Sequence, residues 1–343
     1  MNQQSLLASS LSAGVAIGAG LASALLFIVS AKGSLLALAL AYFAPLPLMI
    51  ASLGFGQWTG LVGALLGSGL VATLLYPMVG LIYAVGIGVP AWFVCVAALR
   101  GAPPAEPQPT RPARAKTIAP AVPNPSPMRA LAIATLYFAV AISVGALLLA
   151  AAHGGLASAL GKLADELAPL IRDVKGATTS LPEGLDPDRL ARVIVRVMVP
   201  AMAGSGLLLV MANLWLAARI VQISARLPTT WPDIPYNLRL PVPFAAALIP
   251  AIGLIFVGHE IGFVASIVAT VLATALSLQG LAVMHDLTRD MSARSPLLFG
   301  AYLVMSFIPP WPMAVFALVG LADAALGLRE RKRLRQSIPP TPP

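Results

Sequence analysis

Apolar stretches long enough to cross a lipid bilayer recur along this chain, and they restrict it to a few kinds of fold. A helix needs roughly 17 to 25 apolar residues to span the hydrocarbon core, and such stretches lie on both sides of a proline-rich segment. Hydrophobic residues make up 58% of the 343 residues and charged residues 10%, whereas a soluble domain carries about 25% charged residues. The sequence therefore predicts an all-α, polytopic transmembrane helical bundle.

About ten apolar segments can be marked. They cover residues 11–30, 35–53, 58–77, 80–99, 128–151, 195–218, 242–258, 262–284, 297–308 and 311–327. The last two are short and flank a turn rich in proline around Pro309 and Pro310. A single helix from Leu297 to Leu328 would be about 48 Å long, which exceeds the roughly 30 Å core. These two segments either both cross the membrane or form a re-entrant hairpin.

Composition divides the chain into four regions. We predict a four-span N-terminal half (1–99), a proline-rich basic cytoplasmic linker (100–127) and a C-terminal membrane half (128–328) with a long outside loop (152–195). A basic, proline-rich cytoplasmic tail (329–343) follows. The halves share no motif, so the sequence gives no support to an inverted-repeat transporter.

Positive charge predicts the orientation in the membrane. Most of the 22 Lys and Arg residues lie in the linker, the tail and the loops after the sixth and eighth segments, and Lys32 is the only cation in a short outside loop. The positive-inside rule then puts both termini in the cytoplasm of a bacterial inner (plasma) membrane. The N-terminus lacks the cationic region of a cleavable signal peptide, so we expect the first segment to be retained. The net charge of +9 is explained by this topology and does not indicate nucleic-acid binding.

The outside loop contains an amphipathic helix. Its apolar residues share one helical face, namely Leu156, Leu160, Leu163, Leu167, Leu170, Ile171 and Val174, and its charged residues share the other. This helix either lies on the membrane surface and caps the bundle or only links two spans.

Glycines four residues apart predict close helix contacts in the first half. The pairs are Gly14 with Gly18, Gly56 with Gly60, and Gly63 with Gly67. Small residues let helix backbones approach each other, and we favour contacts within the bundle over a dimer interface.

Polar residues around segments six to eight form the predicted ligand site. Asn213, Trp215 and Arg219 close the sixth segment, and His259 and Glu260 occupy the outside turn between the seventh and the eighth. A bundle-facing Asn213 would otherwise hydrogen-bond a neighbouring helix. The alternative for His259 and Glu260 is a solvated turn at the membrane interface.

Catalytic motifs are missing from the sequence. His259 and Glu260 begin the zinc-protease pattern HExxH, but Phe263 stands where the second histidine is required. Neither the phosphate-binding loop GxxxxGK[ST] nor the nucleophile motif GxSxG occurs. Cys95 is the only cysteine, and Asp323, the only acid within a span, is expected to pair with the basic tail near Arg329. We predict no enzymatic activity, no metal and no cofactor.

Three stretches of the sequence form recognisable motifs: Asn213-Leu214-Trp215-Leu216-Ala217-Ala218-Arg219, Trp231-Pro232-Asp233-Ile234-Pro235, and Gly320-Leu321-Ala322-Asp323 before a basic end. In these motifs the chain resembles the YybS-like family of uncharacterised bacterial multi-pass membrane proteins. The resemblance covers most of the chain except the proline-rich linker. Through this family the chain is distantly similar in fold to the substrate-binding S components of energy-coupling-factor transporters and to the rod-shape protein MreD. The resemblance implies a helical bundle and supplies no catalytic residues.

Two functions remain open. The first is a small-molecule-binding transporter component without an ATPase of its own, which works with partner membrane subunits or a cytosolic ATPase. The second is a structural or assembly protein of the cell envelope that acts through protein contacts, with the linker and tail as docking segments. In both cases the lipid bilayer is the surrounding partner.

Overall fold

Helices joined by short segments make up the part of the chain that the structure describes, and no strand occurs there. The structure is a computed structural model that describes residues 3–100, 125–177, 186–227, 230–307 and 311–337. Most of the predicted linker (101–124) and the end of the predicted tail (338–343) lie outside the described residues. The predicted all-α class is confirmed.

Fifteen α-helices follow one another in these described ranges. In chain order they are α1 (Gln3–Ile28), α2 (Leu35–Ala41), α3 (Pro45–Phe55), α4 (Gln57–Leu74), α5 (Pro77–Tyr83), α6 (Val89–Leu99), α7 (Pro127–Ala152), α8 (Leu156–Ala177), α9 (Pro187–Ile223), α10 (Ile234–Asn237), α11 (Val242–Ile255), α12 (His259–Leu287), α13 (Arg294–Phe307), α14 (Trp311–Leu326) and α15 (Leu328–Ser337).

Seven helical stretches are long and apolar enough to cross a membrane. They are Ser10–Ala31, Leu35–Phe55, Gln57–Leu74, Pro77–Leu99, Pro127–Ala152, Pro187–Ile223 and His259–Leu287, and the bent pair α14–α15 makes an eighth if it counts as one span. A multi-pass membrane protein fits these helices, but the predicted count of about ten is not confirmed. The difference arises at α11 and α13, because each has only 14 residues and is shorter than a usual spanning helix.

Proline and glycine decide where several helices begin and end. Pro45 and Pro77 each occupy one of the first two positions of a helix, where the missing N–H costs no hydrogen bond. Gly56 joins α3 to α4 with a φ of 108°, and Gly327 joins α14 to α15 with a φ of 62°. These backbone angles favour glycine, so two helices can follow each other almost without a loop.

Contacts divide the chain into two compact units. The first unit combines Met1–Ala134 with Leu208–Arg239, and the second combines Thr135–Leu207 with Leu240–Pro343. This division differs from the one at the proline-rich linker, because the second part of α9 groups with the N-terminal helices. Both α7 and α9 therefore contribute to each unit.

Close backbone contacts hold α1 and α4 together in the first unit. A Cβ added to Gly20 would lie 2.6 Å from the carbonyl O of Gly63, and one added to Gly67 would lie 3.1 Å from the carbonyl O of Gly20. Gly60 is similarly tight, against Ser52. The contact face of α1 therefore contains Gly20.

The other predicted packing glycines have different surroundings. An added Cβ on Gly14 or Gly18 would meet no atom within 4 Å, and Gly56 serves the turn described above. The face of α1 that carries Gly14 and Gly18 is turned away from α4, since these residues are exposed while Gly20 is buried.

The second unit is built around α12, which packs against α11 and α14. A Cβ on Gly280 would collide with the carbonyl O of Phe316, and a Cβ on Gly320 would collide with that of Leu276. The Ser277 hydroxyl donates a hydrogen bond to the carbonyl O of Met313 at 2.6 Å. Because glycine has no side chain at these two positions, the backbones of α12 and α14 can come into contact.

A two-helix hairpin, formed by α8 and the first turns of α9, extends the second unit. Ala164 and Ala168 of α8 and Ala191 and Val195 of α9 form a buried cluster, against which apolar residues of α8 pack. The 37 residues of α9 make a helix of about 55 Å, well beyond a roughly 30 Å core. The predicted amphipathic helix is therefore present as α8, and its apolar face packs on α9.

Candidate functional site

A cavity of about 650 Å³ opens at one end of the second unit. We call it the end cavity. Its walls come from the corner between α7 and α8, from α9, and from the turn between α11 and α12. The polar side chains that line it are Ser158, Arg196, His259, Glu260 and Ser266.

The turn before α12 has an unusual backbone. Gly258, which precedes the helix, has a φ of 80° and His259 has a φ of 51°. A histidine in this left-handed region is uncommon, and such backbone strain gathers at functional sites. The turn presents the imidazole of His259 at the wall of the end cavity.

Glu260 connects two of the elements that surround the cavity. Its Oε1 accepts a hydrogen bond from the backbone N–H of Leu156 at 3.4 Å, at the start of α8. Glu260 also lies in the first turn of α12, where a negative charge interacts favourably with the helix dipole. The carboxylate therefore faces two helix N-termini.

Arg196 brings positive charge to the same cavity. It lies on α9, is exposed, and lines the wall. The end cavity thus combines a guanidinium, a carboxylate and an imidazole with small hydroxyl groups and apolar walls such as Phe263. Groups of these kinds can bind and orient a polar small molecule.

The remaining predicted site residues belong to the first unit and do not line this cavity. The Asn213 amide donates hydrogen bonds of 2.9 Å to the carbonyl O of Tyr42 and to that of Leu209. Trp215 and Arg219 are exposed. Asn213 therefore joins α9 to the end of α2, in line with the structural alternative given for it.

Sequence reasoning missed three of the polar side chains that line the end cavity: Ser158, Arg196 and Ser266. A serine in an apolar helix carries little signal. Arg196, however, belongs to a regular series with Arg189 and Arg192, and that spacing could have marked a charged helix face.

A second polar cluster lies at the opposite end of α12 and is closed to solvent. Asp323 Oδ2 accepts hydrogen bonds from Arg329 Nη2 at 2.6 Å, from Arg329 Nε at 3.1 Å and from Gln279 Nε2 at 2.9 Å. Arg329 is 0% exposed and Asp323 is 5% exposed. Gln279 Oε1 in turn accepts from the backbone N–H of Leu240 at 2.8 Å. This cluster joins α11, α12, α14 and α15, and its role is structural.

Metal ligands are not grouped in the described part of the chain, where no three His, Cys, Asp or Glu side chains come close enough to hold an ion. Comparison of the chain with protein-family models, with curated proteins and with solved structures gives no significant match. The proposals that follow therefore rest on the geometry of the two units.

Proposed function

We propose that this chain is a non-enzymatic component of a bacterial inner-membrane transporter, which binds a small molecule in the end cavity. The molecule would cross the membrane with the help of partner membrane subunits and a cytosolic ATPase. The observation that carries the proposal is the end cavity, where charged and polar groups converge among otherwise apolar helices. Its volume of about 650 Å³ lies within the range of roughly 300 to 1,000 Å³ for small-molecule sites.

The proposed topology places this cavity on the outer side of the membrane. Leu240 N bonds to Gln279, which lies about 30 Å along α12 from His259. The segment 240–258 thus runs beside a length of α12 equal to the hydrocarbon core. We infer that α11 and its flanking residues cross the membrane although the helix itself is short.

The α13–α14 pair is proposed to be a re-entrant hairpin that enters from the cytoplasm. The Ser277 contact with Met313 puts the start of α14 beside a point about 27 Å from the outer end of α12. Because Met313 lies beside Ser277 and Lys332 lies beside Asp286, α14 and α15 run toward the cytoplasmic end of α12 and away from the outer surface. Both termini are then cytoplasmic, as the positive-inside rule predicts.

Affinity purification of a tagged full-length chain in mild detergent, followed by mass spectrometry, tests the transport proposal. We expect a small molecule to be retained by the wild type, lost from Ser158→Trp, which fills the end cavity, and retained by Ser205→Trp. Ser205 is an exposed serine of α9 outside the cavity lining. A cytosolic ATPase among the bound proteins would support transport. A cavity-filling variant that retains every small molecule would contradict the proposal.

A structural or assembly role in the cell envelope is the second candidate, and α15 favours it. Two contacts fix this helix in place: Arg329 pairs with Asp323 of α14, and Lys332 Nζ donates to the carbonyl O of Asp286, at the end of α12, at 2.9 Å. The exposed Arg331 would then be held in a constant position for a partner protein. Envelope-assembly proteins in the same purification, without an ATPase and without a small molecule, would select this role.

A further inference from the structure

A groove lined by three arginines runs along the α8–α9 hairpin and adjoins the end cavity. It has a volume of about 500 Å³, and we call it the arginine groove. Arg189, Arg192 and Arg196 line one wall, while Ala157 and Gly161 line the other. The groove and the end cavity share Ala157, Leu160 and Arg196, so the two form neighbouring compartments of one site.

The spacing of the arginines puts them on one face of α9. Residues three, four and seven apart on a helix project on the same side, and Arg189 to Arg196 covers about 10 Å of helix axis. The opposing wall is open: an added Cβ on Gly161 would meet no atom within 4 Å. There is consequently room between the two helices for a group that the guanidinium groups can reach.

Among the residues that the structure describes, none neutralises the three arginines. Within the described ranges, their guanidinium groups form no hydrogen bond or ion pair. The nearest acid in sequence, Asp188, is paired with Arg172 of α8. Like charges one turn apart repel each other, and Arg189 also lies in the first turn of α9, where the helix dipole adds positive potential. A bound anion would relieve this accumulation of positive charge.

We propose that the arginine groove binds a phosphate-bearing anion, with the phosphate held by Arg189, Arg192 and Arg196. The planar guanidinium group forms paired hydrogen bonds with phosphate oxygens, and three of them suit a group with several oxygens. Leu160 and Val193 line the groove as well, which gives the organic part of the molecule an apolar surface. The opening toward His259 lets that part continue into the end cavity.

This inference rests on the proposed function, because it names the chemical class of ligand for the same site. The phosphate can belong to a soluble phosphate ester or to the headgroup of an anionic lipid at the membrane surface. The hydrogen bonds are the same in both cases, so the experiment needs one arm for each source.

The test uses the purified full chain in nanodiscs and compares three proteins. They are the wild type, the triple variant Arg189→Gln/Arg192→Gln/Arg196→Gln, and the control Lys162→Gln, which removes positive charge from the same hairpin outside the groove lining. In the first arm, nanodiscs of phosphatidylcholine are titrated with inorganic pyrophosphate and the affinity is measured. In the second arm, nanodiscs contain phosphatidylglycerol, and native mass spectrometry counts the lipids that stay bound.

We expect binding in one arm to weaken at least about tenfold in the triple variant, since charge-assisted hydrogen bonds to the phosphate are lost, and to stay within about twofold in the control. Pyrophosphate binding that depends on the arginines identifies a soluble ligand, and phosphatidylglycerol retention that depends on them identifies a lipid. Equal binding by wild type and triple variant in both arms overturns the inference. If a neutral molecule is still lost from Ser158→Trp, only the ligand class is wrong; if no molecule is lost, the proposed function fails as well.

Discussion

Asp323 is a residue whose partner can be predicted from the sequence but whose burial cannot. The sequence predicts that this acid pairs with Arg329, six residues later, near the cytoplasmic surface. The pair is present, but both side chains are buried, with exposures of 3% and 0%, and Gln279 completes the cluster. The sequence contains the two charges, whereas their burial depends on the packing of α12, α14 and α15.

Replacement of Asp323 by Asn should destabilise the protein by about 3 to 5 kcal/mol, because a buried Arg329 would lose its counter-charge. The free energy of unfolding can be compared through thermal denaturation in detergent. Asp290→Asn is the matched control, since Asp290 pairs with Lys332 but is 65% exposed, and it should cost less than about 1 kcal/mol. Equal denaturation midpoints for the two variants would contradict a structural role for the buried pair.

The α8–α9 hairpin shows what helical periodicity can and cannot locate. The leucine pattern of α8 predicts an amphipathic helix between two spans, and the structure contains it. The pattern does not indicate which element packs against the apolar face of α8. Its partner is the start of α9, which lies within the predicted outside loop (152–195) and ahead of the apolar segment 195–218. The hairpin that the two helices form contains the arginine groove.

Introduction of a charge into the hairpin contact should open it locally. Ala168 is 3% exposed and Leu170 is 61% exposed, so Ala168→Asp buries a carboxylate whereas Leu170→Asp leaves it in solvent. We expect protease added to spheroplasts to cleave the Ala168→Asp hairpin at least about tenfold faster, since 1.4 kcal/mol of lost local stability is a factor of ten. Equal cleavage of the two variants would show that the α8–α9 contact contributes little.

The arrangement across the bilayer depends on the lengths of the helices and on which points of neighbouring helices are in contact. Seven helical stretches meet the length of a span, and the proposed crossing of α11 and the proposed re-entrant α13–α14 pair complete the path. The proposed depth of these two short elements rests on the contacts of Leu240 with Gln279 and of Ser277 with Met313.

Cysteine labelling with a membrane-impermeant reagent tests this arrangement. The natural Cys95 is 0% exposed, so single cysteines can be added to the unaltered chain. We expect Leu170→Cys to react in intact spheroplasts, Asp290→Cys to react only after permeabilisation, and Trp311→Cys to stay protected from the outer reagent. Labelling of position 311 as fast as position 170 would mean that α13 and α14 both cross.

Hydropathy alone was sufficient to predict the class of this protein, because a bilayer demands long apolar helices whatever their partners are. It also located the seven helical stretches that are long and apolar enough to cross a membrane. Tertiary structure alone decided which polar residues meet: Arg196 joins His259 and Glu260 at the end cavity, while Asn213 bonds to the backbone of Tyr42. The physical reason is that apolar burial is non-directional, so periodicity predicts that a face is covered but not which helix covers it.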